Sequence, residues 1–347
     1  MKPLLYLTLS LSLLTACKKK EEPQPRETPT AGSAGSAGSA GATAGSAAAP
    51  VDAGPSPAER VTEGMKKADA DAEAEKTRWT PEIEKAALAV RDGKYKDTKE
   101  ALEAILKSPH RMPKHGERDA ARHPVETLTF FGIQPTSTVV ELGAGGGWYT
   151  ELLAPLLHAK GKLIVAGPPS SGGAEDMTTV YGKRLDQFLA KSPELFGKVQ
   201  RVEITPPDKL ELGPAGTADH VIAIREIHNW TRRGFLEKYL AAVHAVLKDG
   251  GTFGIVAHRG KPDAKPEDSA EKGYLPEQWV IDNVTKAGFE LVEKSEVNAN
   301  PKDTKDYEKG VWTLPPNYRE GDKDREKYAA IGESDRMTLR FKKVAKK

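Results

Sequence analysis

Thr138-Val139-Val140-Glu141-Leu142-Gly143-Ala144-Gly145-Gly146-Gly147-Trp148-Tyr149-Thr150 is the stretch that decides the fold. A short β-branched run meets a glycine loop, and an apolar helical segment then runs on to His158. Strand, loop and helix in that order are the unit of a parallel α/β sheet. The unit repeats downstream. Lys162 to Ala166 reads as a second strand and Val199 to Ile204 as a third, with a helix from about Met177 to Ala190 between them. Ala218 to Ile224 is a fourth strand. The helix Phe235 to Leu247 stops at the glycines of Lys248-Asp249-Gly250-Gly251. Thr252 to His258 is a fifth strand, and Phe289 to Lys294, after the helix Glu277 to Ala287, is a sixth. Met337 to Lys343 alternates and is expected to end a seven-stranded sheet.

The glycine spacing selects among ligands. A dinucleotide fingerprint, G-x-G-x-x-G, starting at Gly143 would need a glycine where Trp148 stands. The chain has instead Glu141-x-Gly143-x-Gly145-x-Gly147. The acid two residues before the first glycine resembles motif I of class I S-adenosylmethionine-dependent methyltransferases. Leu247-Lys248-Asp249-Gly250-Gly251-Thr252-Phe253 resembles the turn before the fifth strand in that superfamily, with Asp249 in place of the usual proline. More narrowly, the chain resembles a branch of bacterial predicted methyltransferases. The residues shared with that branch are Arg118-Asp119-x-x-Arg122-x-Pro124-x-Glu126, Gly-Gly-Gly-Trp-Tyr-Thr after the first strand, and His228-Asn229-Trp230 after the fourth. A His258-Arg259 pair, Asn298-Ala299-Asn300-Pro301 and Val311-Trp312-Thr313-Leu314-Pro315-Pro316 complete the likeness, which spans roughly Ser108 to Phe341.

The resemblance implies a Rossmann-like seven-stranded α/β fold, the cofactor S-adenosyl-L-methionine and methyl transfer to an unidentified acceptor. It implies that Gly143, Gly145 and Gly147 let the backbone approach the methionine end of the cofactor. It also implies that Glu141 orders the loop and reaches the ammonium, directly or through water. Arg225, ending the fourth strand, is a candidate partner for a carboxylate of cofactor or substrate, or else forms a surface ion pair. His228 and Asn229 head the loop over the methyl-transfer position. His228 is a candidate general base, or else a helix cap or polar wall. The chain departs from the family at the second strand, which ends Ala166-Gly167-Pro168-Pro169 without the usual ribose-binding acid. Glu175 and Asp176 are the nearest substitutes. Trp148, Tyr149, His258 and Arg259 are further pocket candidates, and the basic run Arg111, Lys114, Arg118, Arg122 is either solvated, internally paired or a gate. His110, His115 and His123 do not follow a metal-ligand spacing, so no metal is expected.

The N-terminus reads as an address. Lys2 precedes an apolar run, Leu4 to Leu14, too short to span a bilayer but suited to a signal peptide. It ends Leu14-Thr15-Ala16-Cys17, which resembles the lipobox of bacterial lipoproteins, and Cys17 is the chain's 1 cysteine. Acylation there would anchor the chain to a membrane without spanning it. Lys18 after the cysteine suggests the outer membrane. Residues 18–60, with their Ala-Gly-Ser repeats, read as a disordered linker. Residues 61–107 read as a helical extension: Thr62 to Lys76 polar all round, then a hairpin opened by Thr80-Pro81. Residues 108–347 form the expected methyltransferase-like domain.

Composition narrows the classes further. With 52 Lys and Arg against 50 Asp and Glu, the net charge of +2 argues against a nucleic-acid binder. A single cysteine excludes a disulfide framework and any cysteine-rich metal site. A mean hydropathy of −0.55 excludes a polytopic membrane protein. S-adenosylmethionine is a cytoplasmic metabolite, whereas the N-terminus marks the chain for export. Two readings therefore stand: a methyltransferase, and a non-catalytic envelope lipoprotein that uses the fold to bind another ligand or partner.

Overall fold

A computed structural model describes residues 55–345; the signal segment, Cys17 and the linker up to residue 54 lie outside the described residues. The strands are β1 (Thr138–Leu142), β2 (Lys162–Gly167), β3 (Gln200–Glu203), β4 (Ala218–Ile224), β5 (Leu247–His258), β6 (Phe289–Ser295) and β7 (Arg336–Lys343). They form one sheet in the order β3-β2-β1-β4-β5-β7-β6. β1 to β5 run parallel, and β7 is antiparallel to both β5 and β6. This is the seven-stranded Rossmann-like sheet of the class I methyltransferase fold that the sequence led us to expect.

Two expectations at its far edge need correction. β7 does not end the sheet; it is threaded between β5 and β6, pairing Phe341 with Phe253 and Lys343 with Phe289. Met337, Leu339 and Phe341 are buried on one face, and Thr338 is buried as well. Alternation locates a strand but does not name its neighbours, because pairing is a long-range choice. The glycines at Gly250 and Gly251 do not lie between helix and strand either. The helix Leu236–Val246 ends first, and β5 already starts at Leu247. The glycine turn is an irregularity within β5, where pairing with β4 jumps from Ala218↔Leu247 to His220↔Thr252.

Alternate residues of the central strands feed two cores. Val140 and Leu142 join Val221, Phe253, Leu240 and Val284 on one face. Val139 joins Ile222, Leu102, Ile105, Leu128 and Leu152 on the other. Leu102 and Ile105 come from the helix Thr98–Lys107, so the expected extension supplies part of the layer covering the sheet. The helix Pro57–Arg78 starts inside the expected linker, because Ser56 and Glu59 close a reciprocal capping box. Its polar composition suggested a solvated or loosely docked helix, yet it packs on the helix Thr178–Ala190. Gly64 meets Val180, Ala68 is 1% exposed, and Lys183–Asp69 and Lys191–Glu75 pair at 2.7 and 2.9 Å. Small residues allow the close approach, and the charged flanks pair across it.

Candidate active site

Strand order reverses between β1 and β4, the point at which open α/β sheets bind ligands at the carboxyl ends of their strands. A cavity of about 960 Å³ opens there. The loop Gly143 to Gly146, the residues Arg225, Glu226, His228 and Asn229 after β4, and Gly167 to Pro169 at the end of β2 all border it. A second cavity, of about 580 Å³, lies between the 207–215 loop and the 236–246 helix and shares none of these residues.

The glycines divide by role. Gly143 has φ +69°, and a Cβ on it would stand 2.5 Å from Glu226 Cδ. Gly147 has φ +85°, and its Cβ would stand 2.6 Å from the Phe188 ring. These two allow close packing in a backbone conformation that favours glycine. Gly145 and Gly146 meet nothing within 4 Å of a Cβ, so they leave bare backbone on the cavity wall. The sequence singled out Gly145 but not Gly146.

Glu141 points away from the cavity wall. It is 2% exposed, on the face of β1 beneath the helix Thr150–Leu157, and Thr150 Oγ1 donates to its Oε2 at 2.7 Å. Burial pushes its carboxyl up to about 7. The structure thus places it where it fastens the glycine loop to the helix that follows.

The acid that faces the glycine loop is Glu226, which sequence reasoning did not single out. Arg225 adopts φ +62°, uncommon for a residue with a Cβ, while its N–H still bonds Val256 O at 2.7 Å. The bend folds Glu226 back over Gly143. Burial pushes the Glu226 carboxyl up to about 7, against a hydrogen bond from the Asn229 side chain and the charges of Arg225 and Arg233. A signal for it existed: Leu142 registers with Ala223, so whatever follows β4 must lie beside the glycines that follow β1.

His228 and Asn229 are brought to the cavity, as the sequence placed them over it. His228 is 5% exposed, and burial, with Arg225 nearby, pushes its pKa down to about 3. It is therefore a neutral imidazole, and its buried Nδ1 has no hydrogen-bond partner in the protein. Its ring stands edge-on to His258 at 5.6 Å and to Trp312 at 6.1 Å. His258 is tied through Nδ1 to Ser334 Oγ at 2.6 Å. Arg259 turns elsewhere, pairing with Glu296 at 2.6 Å and Glu277 at 3.1 Å.

Arg225 also lines the cavity, together with Arg118 and Arg122. Arg111 instead pairs inward, with Asp119 at 2.6 Å and Glu151 at 3.4 Å, and Lys114 is exposed. Trp148 lines the cavity under the Arg122 guanidinium, which sits 4.6 Å from its ring; Tyr149 packs edge-on behind it. At the opposite end, Asp176 reaches the rim, where it accepts from Thr178 N at 2.9 Å and Thr178 Oγ1 at 2.8 Å. Glu175 is exposed and does not border the cavity.

Among solved structures, the chain is similar to a SAM-dependent methyltransferase from Aquifex aeolicus, at 16% identity over 70% of this chain and 98% of that one, with a TM-score of 0.43. It is similar to the 1,6-didemethyltoxoflavin-N1-methyltransferase of Burkholderia thailandensis, at 16% identity over 73% of this chain and 93% of that one, TM-score 0.41. An O-methyltransferase family protein from Burkholderia thailandensis gives 17% identity over 83% of this chain and 71% of that one, TM-score 0.42. No family model matches the chain, and no curated protein matches it.

Proposed function

We propose that the chain is an S-adenosyl-L-methionine-dependent methyltransferase whose acceptor enters between the end of β4 and Trp312. The observation that carries this reading is the Glu226 carboxyl folded over Gly143 beside the bare backbone of Gly145 and Gly146, at the switch point of the sheet. The cofactor's methionine part brings an ammonium, a carboxylate and a sulfonium. Glu226 would hold the ammonium, while Gly145 and Gly146 leave room beside it for the rest of the methionine part. Gly167 to Pro169 and Asp176 border the end left for the ribose. When bound, the cofactor supplies an activated methyl group. The protein's part is to position the acceptor, which lowers the barrier by removing the freedom the reactants would otherwise have to lose. His228, neutral and with an unpaired ring nitrogen, offers that acceptor a hydrogen bond. In the same proposal an acylated Cys17 anchors the chain to the outer membrane, and the linker after it holds the domain off the surface.

Calorimetry of the full-length chain with S-adenosylmethionine and S-adenosylhomocysteine tests the reading. Saturable binding of both is expected. Binding of neither would leave the second reading, an envelope binding module on this fold, which the acid-free end of β2 favours.

A further inference from the structure

The wall formed by Arg118, Arg122 and Arg225, with Arg336 behind it, carries more positive charge than the two carboxylates beside it, Glu226 and Glu333, balance. The acid behind it is Glu333. Its Oε1 accepts from Arg118 Nε at 2.7 Å, its Oε2 from Arg336 Nη1 at 2.9 Å, and Arg122 Nε lies 3.5 Å from Oε2. These guanidinium groups hold the Glu333 carboxyl down to about 2, so it is ionised throughout the working range. One carboxylate thus serves Arg118, Arg122 and Arg336, and Arg225 adds a fourth guanidinium to the same group. Donors remain over. Arg118 Nη2, Arg122 Nε and Nη2, Arg225 Nε and Arg336 Nε are buried without a hydrogen-bond partner. Arg122 is only 3% exposed, and its stacking on Trp148 uses the ring face without satisfying an N–H. Buried charges in proteins are ordinarily paired. Here Arg118, Arg122 and Arg225 border a cavity, which is where a ligand would pair them.

We propose that Arg118, Arg122 and Arg225 form an anion site that holds the small molecule entering on the β4–β5 side of the cavity through a carboxylate or phosphate group. Calling that molecule the methyl acceptor rests on the methyltransferase reading; the anion site itself does not. Two observations assign the anion to the acceptor side. Arg118 and Arg122 pair with Glu333, the neighbour of the Ser334 that holds His258 at the end of β5. The charge left over also exceeds what the single carboxylate of a methionine group would neutralise. Guanidinium forks match the paired oxygens of carboxylate and phosphate, which is why the ligand takes this chemistry and not that of a halide.

The test is titration of the full-length chain with inorganic phosphate and with malonate, each at constant ionic strength against chloride. The two probes separate a phosphate from a carboxylate preference. Saturable binding of at least one is expected. Arg122→Gln and Arg118→Gln should each weaken it about 10- to 100-fold, the worth of a hydrogen bond to a charged group. Arg91→Gln, which breaks the contacts with Asp92 and the Glu194 carbonyl outside the cavity, should leave it unchanged. Arg118 is the more exposed of the two wall residues, so it keeps the test open if Arg122→Gln does not fold. The same titrations with S-adenosylhomocysteine present separate the sources. Anion binding that persists beside it supports the acceptor site, and anion binding by a chain that binds no S-adenosylhomocysteine keeps the site while removing the methyltransferase reading. Absence of saturable anion binding overturns the proposal. So does mutual displacement together with loss of S-adenosylhomocysteine binding in Arg122→Gln, since the wall would then serve the cofactor's own carboxylate.

Discussion

Glu226→Gln is the substitution that most directly probes how the cavity would hold an ammonium. Burial keeps the Glu226 carboxyl protonated up to about pH 7. A cation in the cavity prefers the ionised form, so binding should draw a proton off this group. The wild-type affinity for S-adenosylhomocysteine should then rise with pH and level off above 7. At pH 5 about 1% of the carboxyl is ionised, which makes binding about 100-fold weaker than at the plateau. The useful window closes near pH 7.5, because an α-amino group itself begins to lose its proton at about 7.7–8.0. The groups around Glu226 do not blur the slope: Arg225, lowered by burial only to about 10, keeps its charge across the window, and Asn229 does not titrate. Glu226→Gln keeps the shape over Gly143 and removes the charge. It should weaken binding by about 1.5–3 kcal/mol at pH 7.5, the worth of a charged hydrogen bond, and show little pH dependence. Calorimetry at pH 5, 6, 7 and 7.5 in two buffers of different ionisation enthalpy reads both affinity and proton release. A wild-type affinity that is flat across the window, or a slope that survives in Glu226→Gln, would refute the assignment.

Four further outcomes are expected. Glu141 keeps its proton in the folded chain up to about 7 and loses it near 4.5 when unfolded, so it lowers stability progressively as pH rises from 4.5 to 7. Relative to wild type, Glu141→Gln should gain about 3 kcal/mol across that interval in urea melts, and a constant difference would mean that the group is ionised in the fold. Gly146→Val should melt with the parent and lose cofactor binding, whereas Gly147→Ala should be destabilised by about 2–4 kcal/mol through left-handed strain and contact with Phe188; melting that fails to separate the two would contradict their division of roles. Once an acceptor is in hand, His228→Ala should slow turnover about 3- to 10-fold, the worth of one neutral hydrogen bond, with no inflection near pH 6.5; a loss of about 10²–10⁴-fold would restore it as a general base. Cys17→Ser should abolish acylation and membrane association, and normal processing of that variant would reject the lipobox.

What the sequence revealed is what local chemistry encodes. β-Branched runs and the Glu141-to-Gly147 spacing are fixed within a few residues of one another, and β1 to β4 stand close to where that punctuation put them; β5 starts earlier, at Leu247, with the expected glycine stop inside it. The place of β7 was not legible, because Met337 to Lys343 carries the same alternation whether it pairs on one side or two. His228 was found by its position after β4, but its character was not. A histidine of ordinary pKa is a base near neutrality; one 5% exposed beside Arg225 and His258 is a neutral ring. Its environment comes from β5 and from Trp312, neither adjacent in the chain.

The same separation explains the arginine wall. In the sequence, Arg118 and Arg122 sit one helical turn apart among Arg111, Lys114 and His115, and such a run most often lies in solvent. Three-dimensional pairing sorts it instead. Arg111 goes to Asp119 and Glu151, Lys114 stays exposed, and Arg118 and Arg122 turn to Glu333, which lies 215 residues beyond Arg118. Glu333 in turn is shared with Arg336, its neighbour three residues on. A carboxylate divided among several guanidinium groups cannot satisfy their donors, since each of its two oxygens accepts only a couple of hydrogen bonds. In a purely structural wall a further acid would pair the buried N–H groups of Arg122 and Arg225. The protein instead leaves the surplus on residues that border a cavity. That placement is what makes the sign of the ligand's charge readable from the fold, even though the ligand's identity is not written in any motif.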